Sequence, residues 1–179
     1  MKYFKIYILA LITMLICSCN PQENRSSQSA FNADTEKTEI NRMLDSFNKA
    51  AAEANFDKYF SFYADDAIFT GTDATERWDK KEFMVWAKPI FARGKAWNFT
   101  AIERHIYFDN TGNVAWFDEL LNTQMKICRG SGVLIKQGNQ WKVNQYILSA
   151  TIPNPIMDNV VEMKASAEDS LINKIIKTK

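Results

Sequence analysis

Residues Ile127–Ala150 read ICRGSGVLIKQGNQWKVNQYILSA, and this stretch decides which fold the chain can adopt. Val133, Leu134 and Ile135 stand before the triplet Gln137-Gly138-Asn139, and Trp141, Val143, Tyr146 and Leu148 stand after it. β-branched and aromatic residues on both sides of a Gly-Asn reversal predict a hairpin of two long strands, Ile127–Lys136 and Gln140–Ala150. Upstream, Asp109-Asn110-Thr111-Gly112 is a second turn sequence, separating strands Trp97–Phe108 and Asn113–Thr123. A short reversal centred near Gln124 joins Thr123 to Ile127 and completes a four-strand antiparallel meander. Pro153 and Pro155 end it.

The residues before the meander carry helical spacing instead. Ile40, Met43, Leu44, Phe47, Ala51 and Ala54 share one face of a helix over Asp34–Asn55, with Asp34 as its N-cap. Tyr59, Phe60 and Tyr63 repeat the pattern over Phe56–Tyr63, and Ala67–Thr72 is a short β-prone run closed by Gly71. Asp79 and Glu82 stand at capping-box spacing before a third helix carrying Phe83, Trp86, Ala87 and Ile90, which Pro89 should kink and Gly94 should end. Residues 156–179 predict a terminal helix with Val161, Leu171, Ile172, Ile175 and Ile176 on one side. Helices followed by a long meander define an α+β fold in which helices cover one sheet face. Long strands over few helices curl into a cone, and the mouth of a cone is a pocket.

The first residues are targeting sequence. Lys2 and Lys5 precede the apolar run Ile6–Ile16, which is too short to span a bilayer. The run ends in Ile16-Cys17-Ser18-Cys19, which resembles a bacterial lipobox, with Cys17 a less usual occupant of its slot. The reading is a signal peptide over 1–18, lipidation at Cys19 and a polar tether over 19–33, followed by a domain over 34–155. Cys19 would then hold the chain to a membrane of the bacterial envelope; Asn20 after the cysteine points to the outer membrane in a Gram-negative source. Cys128 is the cysteine left in the domain, so no disulfide is expected, and a buried, unreactive thiol is.

Composition excludes several function classes. Twenty-two basic and 21 acidic residues, net charge +1, lack the basic face that a nucleic-acid backbone requires. One histidine and one domain cysteine make a zinc site improbable, no nucleotide-binding glycine motif is present, and no cofactor is expected. Twelve Phe, six Tyr and five Trp fill a core and can also line an apolar cavity.

A series of short matches then becomes recognisable: GTDATERW (Gly71–Trp78), WAKPIFARGKAW (Trp86–Trp97), ERH (Glu103–His105), AWFDE (Ala115–Glu119), CRGSGVL (Cys128–Leu134), WKVNQYILS (Trp141–Ser149) and IPN (Ile152–Asn154). In this order, across Asp34–Asn154, they resemble the SnoaL-like branch of the nuclear transport factor 2 (NTF2-like) superfamily. The resemblance implies a cone-shaped α+β barrel, frequent dimers and a hydrophobic pocket. It implies no single activity, because relatives include cyclases, isomerases, hydrolases and pocket proteins without a known reaction.

Strand alternation predicts which side chains share the cone's inner face. A turn at Gly138 sets Ile135 opposite Trp141, Val133 opposite Val143 and Ser131 opposite Gln145. A reversal centred near Gln124 sets Glu119 opposite Arg129, Phe117 opposite Ser131 and Ala115 opposite Val133. With Ile102, Arg104 and Ile106 inward, the inner face gathers Arg104, Phe117, Glu119, Arg129, Ser131, Trp141 and Gln145, with Tyr63, Trp78 and Trp86 at the mouth. This cluster reads either as a structural ion-pair network or as a binding site for a small apolar ligand with a polar or anionic end. An isomerase, cyclase or hydrolase with Glu119 or Asp66 as general base is the alternative, and a structural dimer in an envelope assembly is the third. His105 faces outward with Trp116 and Asp118, and Asp73 caps a turn. The outer row Trp116, Leu120, Leu134, Tyr146 and Leu148 predicts a homodimer through the convex face, or cover by the terminal helix.

Cys19→Ala is expected to leave the chain unlipidated and to move it from the detergent phase to the aqueous phase on temperature-induced phase separation. Detergent partitioning that survives the substitution would reveal another anchor.

Overall fold

The computed structural model describes residues 31–178; the expected signal peptide, Cys19 and the tether as far as residue 30 lie outside the described residues. Helix α1 (Ala33–Ala52) is capped by Asn32, not Asp34: the Asn32 side chain accepts from the backbone N–H groups of Asp34 and Thr35. Its buried face carries Ile40, Leu44 and Phe47. Asn55 caps the short helix α2 (Phe56–Ser61), and strand β1 (Tyr63–Thr70) begins four residues earlier than Ala67, where the expected strand started. The early start follows from long-range pairing: β1 lies parallel to β6, and the Val143 N–H donates to the Phe62 carbonyl.

Strand β2 (Arg77–Asp79), which the sequence pattern did not announce, pairs antiparallel with Ile68–Thr70 as an edge strand. Helix α3 (Lys80–Phe91) has the full capping box between Asp79 and Glu82; Pro89 sits in its last turn, and Gly94 follows at φ +75. Strands β3 (Thr100–Phe108), β4 (Val114–Thr123), β5 (Lys126–Gln137) and β6 (Gln140–Ala150) form the meander. The sheet runs in the order β2-β1-β6-β5-β4-β3. A 3-10 turn (Asn154–Ile156) leads to the terminal helix α4 (Met157–Lys177). No described helix is long and apolar enough to cross a membrane.

Across β4 to β6 the register departs from expectation at three places, each by one residue. The reversal after β4 is tighter than one centred on Gln124: Thr123 pairs with Lys126 across Gln124-Met125. Thr123 builds this turn, its hydroxyl accepting from the Met125 N–H and donating to the Lys126 carbonyl. Glu119 therefore faces Gly130, and Arg129 faces Leu120. The second hairpin shifts likewise, with Lys136 opposite Trp141 and Ile135 opposite Lys142. A bulge then intervenes, since Leu134 pairs with Val143 while Val133 pairs with Gln145, leaving Asn144 as the extra residue. A one-residue offset turns every following side chain to the other face.

The buried row on β5 is therefore Cys128, Gly130, Gly132 and Leu134, and on β6 it is Trp141, Val143, Tyr146 and Leu148. Arg129 is exposed, and Ser131, Val133, Ile135, Gln145 and Ile147 are half-buried in the opposite row. On β3 the bulge falls between Ala101 and Glu103, leaving Ile102 exposed instead of inward. The expected apolar outer row loses Leu134, Tyr146 and Leu148 to the core, and Trp116 remains outside, stacked on Tyr107 at 5.9 Å.

The two buried glycines on β5 are sites of close approach. A Cβ on Gly130 would lie 2.5 Å from the Tyr146 hydroxyl and 3.0 Å from Glu119 Oε1; one on Gly132 would lie 2.8 Å from the Phe117 ring. Gly130→Ala is expected to destabilise the domain by about 1–3 kcal/mol, measured by urea unfolding, because neither neighbour is free to retreat. A neutral substitution would show that Tyr146 can leave Glu119 without cost.

Candidate functional site

Inside the curl of the sheet is an apolar cavity of about 180 Å³. Its walls come from four directions: Phe47 on α1, Phe69 on β1, Phe83 and Trp86 on α3, and Trp97 in the segment before β3, with Tyr146 of β6 as floor. Several of these rings are close to parallel: Phe69 and Phe83 stack at 4.1 Å and 5°, Phe83 and Trp97 at 6.0 Å and 14°, and Phe69 and Tyr146 at 6.2 Å and 8°. Rings stacked on one another in this way form one continuous apolar wall, against which a flat ring packs in the same offset manner. Thr72, Glu76 and Gln124 add polar groups, and Glu76 is the one charged residue among the described lining. Glu76 is held there by its own loop, Oε2 accepting from the Asp73 N–H at 3.2 Å.

Behind the floor sits a buried ionic network. The Tyr146 hydroxyl donates to Glu119 Oε1 at 3.0 Å, and Arg104 Nε donates to Glu119 Oε2 at 2.8 Å. Arg104 Nη2 is also 2.8 Å from that oxygen, but its angle is poor for a hydrogen bond, so this contact is chiefly electrostatic. Arg104 Nη1 reaches α1, donating to Asn41 and Asp45. Glu119 is 1% exposed. Burial pushes its carboxyl above the ordinary value of 4.5, and Arg104 and Tyr146 offset that only in part. Burial likewise raises the phenols of Tyr59, Tyr63 and Tyr146, the first two of which share a 3.2 Å hydrogen bond.

The expected inner cluster is thus divided. Arg104, Glu119 and Phe117 meet on the concave side as expected, but behind Tyr146 and not on the cavity wall. Arg129, Ser131 and Gln145 lie in the opposite row. Trp141 is concave but remote from the cavity: its indole N–H donates to Glu36 Oε2 at 2.7 Å, and Lys136 completes the group with an ion pair to Glu36. Burial alone would raise the Glu36 carboxyl, yet Lys136 and Trp141 outweigh it and hold it below its ordinary value.

Of the mouth aromatics, Trp86 lines the cavity, Trp78 stacks on Trp86 at 4.8 Å, and Tyr63 is buried against Tyr59 and Phe83. Asp66 is exposed on β1 and does not line the cavity. His105 lies on the convex face between Glu103 and Asp118, at 3.2 and 3.3 Å. Asp73 caps its turn through Thr75, and Cys128 is fully buried beside Thr123.

Sequence reasoning missed Phe47, Phe69, Phe83, Trp97 and Glu76 as lining, and placed Tyr146 on the wrong face. One signal for Tyr146 was present. Asn144-Gln145 puts two polar residues in succession between Val143 and Tyr146, a break in alternation that marks a bulge.

An α+β cone of this topology enclosing an aromatic cavity defines a class of pocket-bearing domains. The SnoaL-like domain matches residues 40–153, and this chain belongs to that family. Solved structures share the fold at low identity. An NTF2-like protein of unknown function from Pseudomonas putida KT2440 is 15% identical, with a TM-score of 0.59 over 68% of this chain and 91% of its own. A provisionally assigned dehydratase of the NTF2-like family from Streptomyces avermitilis is also 15% identical, with a TM-score of 0.57 over 68% and 100%. A protein of unknown function with a cystatin-like fold from Nostoc punctiforme is 12% identical, with a TM-score of 0.56 over 71% and 98%. No functionally curated protein matches the sequence.

The network generates a signed expectation. Arg104→Met strands the buried Glu119 carboxylate and should cost about 3–5 kcal/mol at neutral pH; adding Glu119→Gln should recover most of it. A carboxyl whose folded pKa is raised contributes stability fully below 4.5 and loses it as pH rises through the raised value. The Arg104→Met deficit in urea unfolding should therefore shrink as pH falls towards 4.5, because the buried Glu119 takes up its proton above that value. A deficit independent of pH and unrelieved by Glu119→Gln would mean the two side chains are uncoupled.

Proposed function

We propose that this chain is an envelope lipoprotein, anchored through Cys19 and paired with a second copy, whose cone binds a small, flat, apolar ligand. The cavity carries the reading. An apolar cavity of about 150 Å³ admits benzene, whereas drug-sized ligands occupy roughly 300–1,000 Å³. At about 180 Å³ the space suits one ring or two small ones. The anionic ligand end expected from Arg104 and Arg129 loses its support, because Arg104 is engaged by Glu119 and Asp45 and Arg129 is on the other face. Glu76 and the electron-rich ring faces favour the opposite charge, so any charged end on the ligand is cationic. The alternative of an isomerase, cyclase or hydrolase using Glu119 or Asp66 as base finds neither carboxylate at the cavity wall.

Three probes of equal ring size separate these readings: phenethylammonium, phenethyl alcohol and phenylacetate, titrated against the quenching of tryptophan fluorescence. Phenethylammonium should bind about five- to tenfold more tightly than the alcohol, on the scale of 1 kcal/mol, and phenylacetate least tightly. Trp97→Ala should weaken all three, and Glu76→Gln should abolish the preference for the cation alone. Equal binding of all three would leave an apolar cavity without charge selection, and binding of none would refute the ligand reading.

A further inference from the structure

Helix α4 is long, amphipathic and nearly uncovered. It runs for 21 residues, about 31 Å, packs against the 3-10 turn that precedes it, and has no buried residue. Val161, Ile172 and Ile175 are about half exposed, and Ile176 more so. Met157, Val161, Lys164, Glu168, Leu171 and Ile175 recur at alternating steps of four and three, which places them on one stripe with the spacing of a coiled-coil seam. The ends of this stripe are apolar and its middle is charged, with Lys164 Nζ 2.7 Å from Glu168 Oε1.

That pattern argues against two occupants. A lipid surface would press the Lys164–Glu168 pair into the acyl region, and Asp158, Glu162 and Asp169 leave the rest of the helix without the basic character that anionic lipid attracts. An apolar sheet face would meet the same two charges in the middle of its contact.

We propose that the occupant is α4 of a second copy of this chain, packed antiparallel about a two-fold axis level with Ser166. In that alignment Met157 meets Ile175 of the second copy, Val161 meets Leu171, and Lys164 meets Glu168. The symmetry then repeats the three layers in reverse order. Every apolar residue of the stripe finds an apolar one, and each central charge finds its opposite across the interface as well as along its own helix. A parallel pair in register would set Lys164 against Lys164 and Glu168 against Glu168. The charges thus select orientation, as polar residues in coiled-coil seams do at some cost in stability. The inference deepens the homodimer of the proposed function by naming its surface, and it does not depend on the cavity. It also moves that surface away from the convex sheet face, where Trp116 and Tyr107 lie beside Val133, with Asp118 and His105 next along their strands.

Charge exchange tests it on the full chain purified in detergent, by sedimentation velocity over a concentration series. Wild type should dimerise, and Lys164→Glu should weaken the dimer at least tenfold by facing two acidic residues across each central layer. The double exchange Lys164→Glu with Glu168→Lys should restore wild-type association, because the reversed charges again meet their opposites. Circular dichroism reports whether α4 stays helical in each variant. Phenethylammonium titration of the same samples should be unchanged, so a failure of the interface and a failure of the cavity reading are told apart. A monomeric wild type, a Lys164→Glu variant that associates like wild type, or a double exchange that does not restore the dimer would each overturn the proposal. So would a dimer abolished by Trp116→Glu on the convex face.

Discussion

The buried carboxylate of Glu119 is the constraint around which the domain is arranged. It takes the guanidinium of Arg104 from the neighbouring strand and the hydroxyl of Tyr146 from two strands away. Through Arg104 it reaches Asn41 and Asp45 on α1. One acidic residue thereby connects the first helix with three strands of the sheet. Such a group is expensive to bury, and the network tolerates the cost only because its oxygens have matched donors. Gly130 belongs to the same arrangement, since any side chain there would collide with the Tyr146 hydroxyl and press on Glu119.

This anchoring has a consequence for the cavity. Tyr146 has two sides to its role: its hydroxyl is committed to Glu119, while its ring closes the floor of the aromatic space. The polar network and the apolar cavity are therefore adjacent and separate, divided by the thickness of one phenol ring. The arrangement keeps the two charges out of the cavity and leaves Glu76, on a loop next to β2, as the charged group at its wall. A second anchored group, Glu36 with Lys136 and Trp141, ties the start of α1 to the β5–β6 hairpin. The two networks hold the first helix at both Glu36 and Asp45, across the concave face that it covers.

The helix at the other end of the chain follows a different logic. α1 is positioned by charges that reach it from the sheet, whereas α4 has a seam of its own and little from the domain to fill it. An amphipathic helix gains most of its stability from burying its apolar face, and the proposed second copy would supply the cover that the domain does not. In the proposed pair, the central Lys164–Glu168 ions would matter more for the choice of partner than for the stability of the helix.

Much of this was legible in the amino-acid order. The α+β class, the meander, the capping box of Asp79 and Glu82, the concave placement of Arg104 and Glu119 and the outward direction of His105 follow from local turn chemistry and from alternation within single strands, whereas the partner expected opposite Glu119 was Arg129. Those are properties that neighbouring residues determine among themselves. The faces of β5 and the second half of β6 were decided elsewhere: by the Thr123 hydroxyl, which tightens one turn by a residue, and by the Asn144 bulge, which inserts one. Because the strand period is two residues, each event reverses everything beyond it, taking Arg129 out of the concave face and bringing Tyr146 in. The cavity was less legible still, since Phe47, Phe69, Phe83 and Trp97 come from four separate segments whose convergence no local pattern encodes. Sequence determined the helices and the four meander strands; tertiary packing decided the extent of β1, the pairing of β2 and which rings face one another, because a single residue of register is worth little locally and reverses a whole face globally.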